Sequence, residues 1–408
     1  MKSISLSTKI LIGLILGIFA GLALAGSTDF IKTWITPFGT IFLNLIKMVI
    51  VPLVFASLLV GAASVGDVKK LGRMGGKTIG YYLITTACAV TLGLILGNLL
   101  NPGLGLSLPE GAKYAAGKAV PASDVIINLF PSNPLNALVT GNMLQIIVFA
   151  LFIGIGATLV GEKAKPVIAF FDGFAEVTYK ITGMVMAVAP IGVFALITPV
   201  VAANGPAVLL PLLKVIIAVY VGCILHAGVI YSLAVKTLGN MSPVKFFKGF
   251  FPAMVVAFTT CSSSATLPIS MKCTEENLGV SKEVASFVQP LGATINMDGT
   301  ALYQGICALF VAQVYGLDLS VGQQITVILT ATLASIGTAG VPGAGLIMLT
   351  LVLQSVGLPL EAVALVAGID RILDMARTTV NVTGDASAAV IVEYSEQKLI
   401  AKSRGITA

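Results

Sequence analysis

Residues 258–268 read Phe-Thr-Thr-Cys-Ser-Ser-Ser-Ala-Thr-Leu-Pro, a polar stretch in the middle of an apolar run near 250–270. Inside a bilayer, non-helical backbone is tolerated only where it is buried in protein or lines a water-filled cavity. The stretch therefore predicts the tip of a re-entrant hairpin. Residues 335–345, Ser-Ile-Gly-Thr-Ala-Gly-Val-Pro-Gly-Ala-Gly, interrupt a second apolar run in the same way. Each tip is followed by a span with polar interruptions: Asn296-Met297-Asp298-Gly299-Thr300 after the first, Asp370 to Asp385 after the second. Two units of hairpin plus broken helix predict an inverted repeat, with a transport site near the midplane. Small residues also line ordinary membrane-helix interfaces. Packing alone, however, requires neither Pro342 nor intramembrane aspartates.

The bilayer setting follows from composition. Of 408 residues, 57% are hydrophobic and only 10% charged, with a mean hydropathy of +1.00. Soluble domains carry about 25% charged residues, so this chain cannot clothe a soluble globule. A soluble enzyme, a disordered protein and a nucleic-acid binder are all excluded. Apolar runs long enough to span a membrane recur near 10–26, 37–65, 79–100, 124–160, 166–201, 207–235, 250–270, 284–315, 324–357 and 361–392. The first follows Lys2 and Lys9 and ends in Ala23-Leu24-Ala25, which imitates a secretory signal. Because membrane-embedded sequence follows it throughout, we read it as a first spanning helix. Basic loops hold Lys69, Lys70, Arg73 and Lys77, then Lys163, Lys165, Lys236, Lys245 and Lys248, and the tail holds Lys398, Lys402 and Arg404. The loop at 202–206 is uncharged and that at 101–124, with Pro102, Pro109 and Pro121, is nearly balanced and reads as an outer linker. The alternation places both termini on the cytoplasmic side. Cys88, Cys223, Cys261, Cys273 and Cys307 form no CxxC pair and read as small buried hydrophobes.

Chemistry concentrates in one helix. Asp370, Asp374, Arg377, Thr378, Asn381 and Asp385 fall on about a third of a helical circumference, with apolar flanks. A charge at this depth costs at least ~2.5 kcal/mol and faces a cavity or a partner. Arg377 offers a planar fork that matches a carboxylate; Asp374, one turn away, can hold an ammonium, and Asn381 a second carboxylate. Together they complement an amino acid with an acidic side chain. Asp385 and Asp298 are hard oxygen ligands beside Gly-rich backbone, suited to ion capture. Asp298, Asp370, Asp374 and Asp385 outweigh Arg371 and Arg377. With a singly anionic substrate the imbalance leaves room for up to three monovalent cations, or for a proton on one carboxylate.

These residues identify a resemblance. Ser262-Ser263-Ser264-Ala265-Thr266-Leu267-Pro268, Asn296-Met297-Asp298-Gly299-Thr300, Ala339-Gly340-Val341-Pro342-Gly343-Ala344-Gly345 and Asp374-Met375-Ala376-Arg377-Thr378 with Asn381-Val382-Thr383-Gly384-Asp385 stand in order. The whole chain resembles the glutamate/aspartate:sodium symporter family, which includes the excitatory amino acid transporters. The resemblance implies an all-α polytopic protein of eight transmembrane helices plus two re-entrant hairpins, an elevator movement and a homotrimer in the inner membrane. It implies scaffold helices at 1–78 and 124–206. Transport parts follow at 79–123, 207–242, 243–283 (first hairpin), 284–317 (broken helix), 318–359 (second hairpin) and 360–396 (polar helix), before a cytoplasmic tail at 397–408.

By the same resemblance, the backbone at Ser263 and the Asn381 amide would take the substrate α-carboxylate. Asp374 and the Val341 carbonyl would hold its amino group, and Arg377, Thr300 and the Gly345 backbone its side-chain carboxylate, with Thr378 in the same set. One sodium ion would use Asp385 and carbonyls of Gly292, Asn296 and Asn381. A second would use carbonyls of Thr294, Ser335, Ile336 and Thr338. A third would use Tyr82, Thr85, Thr86, Asn296 and Asp298. Archaeal members carry arginine at the position of Cys261 and animal members at that of Met375; here Arg371 is the spare cation nearby, and its spacing from Asp374 predicts a contact. His226, the single histidine, reads as a core residue. Ser262 to Ser264 as nucleophiles of an intramembrane hydrolase lack a histidine base in their segment. A C4-dicarboxylate, having no amino group, would leave Asp374 unpaired. A proton-coupled symporter is the alternative within the class.

Overall fold

The computed structural model describes residues 6–63, 71–106, 127, 130–205, 209–336, 338, 340 and 343–403. Val341, Pro342, Ala339, Lys2, Lys69, Lys70, Arg404 and most of the expected outer linker lie outside the described residues. All regular structure among the described residues is helical. The main helices are α1 (Leu6–Ala23), α2 (Thr36–Ala63), α3 (Leu71–Leu100), α4 (Met143–Val160), α5 (Lys165–Ala187), α6 (Ala189–Asn204), α7 (Leu209–Leu225), α8 (Ser232–Thr237), α9 (Pro243–Thr260), α10 (Ser263–Lys272), α11 (Lys282–Ile295), α12 (Asp298–Val314), α13 (Val321–Ser335), α14 (Ala344–Ser355) and α15 (Asp370–Ser403).

The helices pack mainly within two sets. In one, α1 lies along α6, and α2 lies against α4, α5 and α6. In the other, α3 lies along α12, while α15 is surrounded by α7, α9, α11 and α12. By length and composition two helices can cross a bilayer among the described residues: Arg73–Leu100, with mean hydropathy 2.0, and Leu209–Thr237, with 2.2. A pair bent by 54°, Val148–Val185 and Ala189–Ala202, would make a third. The outer faces are strongly apolar: Phe19, Trp34, Ile84, Leu159 and Ile224 are all well exposed. Contiguous apolar surface of this kind is unstable in water and suits lipid. Cys88 is exposed on such a face, unlike the other four cysteines, so the expectation that all five are buried fails there. The apolar character of a membrane helix does not tell a lipid-facing position from a protein-facing one.

The expected breaks are present as helix ends. α9 stops at Thr260; Cys261 turns left-handed (φ +53°), and Ser262, extended, caps α10 by accepting from the Ala265 N–H at 3.1 Å. Serine is a preferred N-cap because its hydroxyl satisfies one of the unpaired N–H groups of the first turn. α13 ends at Ser335, where Ile336 becomes extended. The two tips meet: Ser262 Oγ donates to the Gly340 carbonyl at 2.7 Å, and the Ser264 N–H donates to the same oxygen at 3.1 Å. Between α11 and α12 the chain is non-helical at Asn296 and Met297.

One boundary differs from the reading of residues 361–392 as a single polar-striped span. A short helix covers Val363–Ala367 and stops; α15 starts afresh at Asp370 and runs to Ser403. Asp370 thus lies in a first turn, where the helix dipole favours an anion. At its other end α15 is tied to α3: Arg73 pairs with Glu396, and Lys77 reaches Glu396 at 2.9 Å and Ser395 at 2.7 Å.

The α3–α12 contact is close because α3 presents Gly93 to α12. A β-carbon at Gly93 would collide with the Leu302 carbonyl. Gly93→Val should push the two helices apart and cost about 1–3 kcal/mol by overpacking. A lowered thermal unfolding midpoint of the purified protein in detergent checks this, with Gly80→Val, which meets open space, as the control.

Candidate substrate and ion site

The polar face of α15 meets the tips and the α11–α12 break in three connected groups. The first centres on Arg377, which is fully buried. Its Nη1 donates to Asp370 Oδ1 at 2.8 Å, and its Nη2 lies 3.0 Å from Asp374 Oδ1 without hydrogen-bond geometry. The guanidinium carbon stacks 4.1 Å over the Tyr303 ring, a favourable place for a desolvated cation. Nε and Nη2 have no hydrogen-bond partner. A buried guanidinium with unmet donors is a site prepared for a further acceptor.

The expected residues Asp374, Thr300 and Gly345 stand beside Arg377; Asp370 and Tyr303, which touch it directly, are not in the expected substrate set. Thr378 donates to Asp374 Oδ1 at 3.1 Å, and the Gly343 N–H donates to Asp374 Oδ2 at 3.3 Å. Asn381 accepts from the Gly299 N–H at 2.8 Å and donates to Thr300 Oγ1 at 3.3 Å. Gly345 passes directly beside the guanidinium: a β-carbon there would sit 3.2 Å from Arg377 Cζ and 3.2 Å from the Thr300 methyl. Ser263 is buried at the first tip, between the two serines bonded to Gly340. Val341 lies outside the described residues.

The second group surrounds Asp385, 2% exposed. Asn296 Nδ2 donates to Asp385 Oδ1 at 2.9 Å and to the Asn381 carbonyl at 3.0 Å. Gly292 packs against the Asp385 carboxylate and the Tyr82 hydroxyl. Tyr82, an expected ligand of the third ion, donates to the Val288 carbonyl at 3.1 Å, with its hydroxyl beside Gly292 as well. Asn296 Oδ1 is buried without a partner. Of the residues expected for another ion, Ile336 is extended just past the end of α13 at Ser335, and Thr338 Oγ1 donates to the Ala334 carbonyl at 2.6 Å. Gly340 abuts the Ala293 carbonyl, one residue before Thr294.

The third group surrounds Asp298, fully buried. Its Oδ1 accepts from Thr86 at 2.6 Å; Thr85, one residue earlier, bonds the Tyr82 carbonyl at 3.2 Å. Its Oδ2 accepts from Tyr231 at 2.8 Å and lies 3.1 Å from His226 Nε2. Neither residue is placed there by the sequence reading, which sees His226 only as a core histidine. A lone histidine in an apolar run carries no spacing signal toward a partner 72 residues away. Arg371, by contrast, is where its spacing predicts: Nη1 lies 3.9 Å from Asp374 Oδ2, while Nη2 donates to the Thr260 carbonyl at 3.2 Å, next to Cys261.

Two broken helices, two mutually bonded tips and a buried charged stripe between them are the parts of a secondary transporter. Residues 6–395 match the model of the sodium:dicarboxylate symporter family, and the chain belongs to that family. Its members are transporters, not enzymes, and are integral membrane proteins. The chain is 41% identical to the "Proton/sodium-glutamate symport protein" of Geobacillus stearothermophilus over 412 residues, covering 98% of this chain and 97% of that one. It is 39% identical to the "Proton/glutamate-aspartate symporter" of Escherichia coli (strain K12), covering 98% and 95%. It is 35% identical to the "C4-dicarboxylate transport protein" of Bacillus subtilis (strain 168), covering 97% and 94%.

Arg371 joins the Thr260 end of α9 to the Asp374 carboxylate. Arg371→Ala should slow substrate transport, and adding Cys261→Arg, which returns a cation to the tip, should recover part of the rate. Initial uptake rates in proteoliposomes check both; a double variant no faster than Arg371→Ala would reduce Arg371 to a local counter-ion.

Proposed function

We propose that this chain is a sodium-coupled secondary active symporter that imports acidic amino acids, aspartate or glutamate, by an elevator movement. The observation that carries the reading is the distribution of buried charge. Asp370 and Asp374 share Arg377. Asp298 and Asp385 are equally buried, yet their hydrogen-bond partners are hydroxyls, an imidazole and an amide. A buried carboxylate without a cation is costly, and monovalent cations would neutralise these two. The relatives named for glutamate or aspartate symport support this substrate.

In this reading the substrate's side-chain carboxylate takes the free donors of Arg377 with Thr300 and the Gly345 backbone. Its α-carboxylate takes Asn381 and the backbone at Ser263, and its ammonium takes Asp374 with the Val341 carbonyl. Sodium ions take Asp385 with Gly292, Asn296 and Asn381; the carbonyls of Thr294, Ser335, Ile336 and Thr338; and Asp298 with Thr85, Thr86, Asn296 and Tyr82. The two packing sets support a scaffold and a moving part that carries the site, and we place three copies in the inner membrane with both termini cytoplasmic. Three sodium ions with one anionic substrate would carry two positive charges inward, worth ~4.6 kcal/mol per 100 mV.

A second substrate reading, a C4-dicarboxylate, draws on Asp374, which lies near both Arg371 and Arg377 and so is neutralised without an ammonium. The test is uptake of labelled aspartate into proteoliposomes with sodium, proton and potassium gradients set separately and succinate as competitor. Accumulation that collapses without sodium supports the proposal. Accumulation on a proton gradient alone assigns the coupling to protons, and full competition by succinate assigns the second substrate.

Arg377→Cys should shift selectivity from acidic to neutral amino acids, since removing one partner of a buried charge pair costs roughly 2–5 kcal/mol. Aspartate affinity is the measurement, with serine uptake beside it. Asp385→Asn should weaken the response to sodium more than it alters substrate selectivity, because Asp385 lies more than two helical turns from Asp374. Substrate affinity titrated against sodium concentration reads this directly.

A further inference from the structure

We propose that His226 is a positioning residue for the Asp298 cation site: its imidazole, presented by a π-helical turn, holds the carboxylate so that Oδ1 faces the ion. The inference rests on the sodium reading above and deepens it.

Between α7 and α8 the backbone winds as a π-helix over His226–Tyr231. In an α-helix, residues five apart point about 140° away from one another. A π-turn closes i to i+5 and brings them to the same side of the helix. His226 and Tyr231 are five apart, and both reach the same oxygen, Asp298 Oδ2, at 3.1 and 2.8 Å. Their rings meet edge to face, 4.8 Å between centroids and 79° between planes, which fixes each against the other. Isolated π-turns inside α-helices concentrate at functional sites. Here the wide turn has an identifiable effect: without it only one of the two donors could face Asp298.

The imidazole is fully buried, and its Nδ1 has no partner. A residue needed only for volume would be better apolar, since an unmet buried polar atom is a cost. Neutral histidine has one N–H. Placing it on Nε2 gives Asp298 a donor and leaves Nδ1 with an unused lone pair, a smaller penalty than an orphaned N–H. Asp298 is then tethered on Oδ2 by two donors from the π-turn and on Oδ1 by Thr86 alone. The oxygen with fewer donors is Oδ1, on the side of α3, the helix that carries Tyr82, Thr85 and Thr86. Hydrogen bonds to a ligating carboxylate set its orientation, and their loss typically costs metal affinity 10–100-fold.

The test is a sodium titration of aspartate binding to the purified full-length protein for wild type and the His226→Leu, His226→Asn and His226→Gln variants, with thermal stability measured alongside. Gln carries an amide N–H to about the reach of Nε2; Asn carries one only to about the reach of Nδ1. The expected result is a sodium requirement raised roughly tenfold or more for Leu and Asn and restored towards wild type by Gln, with aspartate affinity at saturating sodium unchanged. Should the Leu variant not fold, the contrast between Asn and Gln carries the same test. A Gln variant shifted as far as Asn, or sodium curves that superpose while only stability falls, would reduce His226 to packing. A wild type without sodium dependence would overturn the sodium reading itself, and this proposal with it.

Discussion

Charge buried in a low-dielectric interior governs this molecule. Arg377, Asp298, Asp370, Asp374 and Asp385 are all buried, and each ion removed from water costs several kcal/mol unless partners replace its hydration. The partners have to come from several directions, because one helix face cannot supply them all. Arg377 shows the pattern: Asp370 and Asp374 from its own helix, the Tyr303 ring from α12 and the backbone of Gly345 from the start of α14.

The broken helices follow from the same constraint. An unbroken helix consumes its own N–H and C=O groups, and only helix ends or extended residues have any to offer. The Gly299 N–H that reaches Asn381, the Asn381 carbonyl that receives Asn296, and the Gly343 N–H that reaches Asp374 belong to such places or meet them. The serines of the first tip likewise convert a helix end into a polar contact with the second tip through Gly340. The breaks therefore add backbone donors to a site whose side-chain groups stand mainly on α15.

Much of this was legible from residue types. Ser262 to Ser264 and Asn296 to Thr300 stand out because polar residues in an apolar run need an explanation, and the stripe from Asp370 to Asp385 because its spacing is helical. The contact between Arg371 and Asp374 follows from an i,i+3 spacing. Other features carry no such signal. The interruption before Asp370 falls at Gly368-Ile369, an ordinary pair in a run of valine, leucine and alanine. The π-turn depends on a single extra residue per turn, which hydrophobic periodicity cannot register in a helix that is apolar all round. His226 meets Asp298 only through tertiary packing, and Tyr82 meets the Val288 carbonyl for the same reason. Cys88 illustrates a wider limit: lipid and protein interior select the same apolar residues.

The shared Gly340 carbonyl also has a consequence in time. Ser262 precedes Gly340 by 78 residues. At the ~5–20 residues per second of synthesis, the first tip leaves the ribosome roughly 4–16 seconds before its partner exists. During that interval its backbone has to be satisfied from within. Local bonds supply most of this: Ser262 Oγ accepts from the Ala265 N–H, Thr266 Oγ1 donates to the Ser262 carbonyl, and the Cys261 N–H bonds Ala257. The Ser264 N–H is a donor left over, and it is the one that the Gly340 carbonyl of the later half receives.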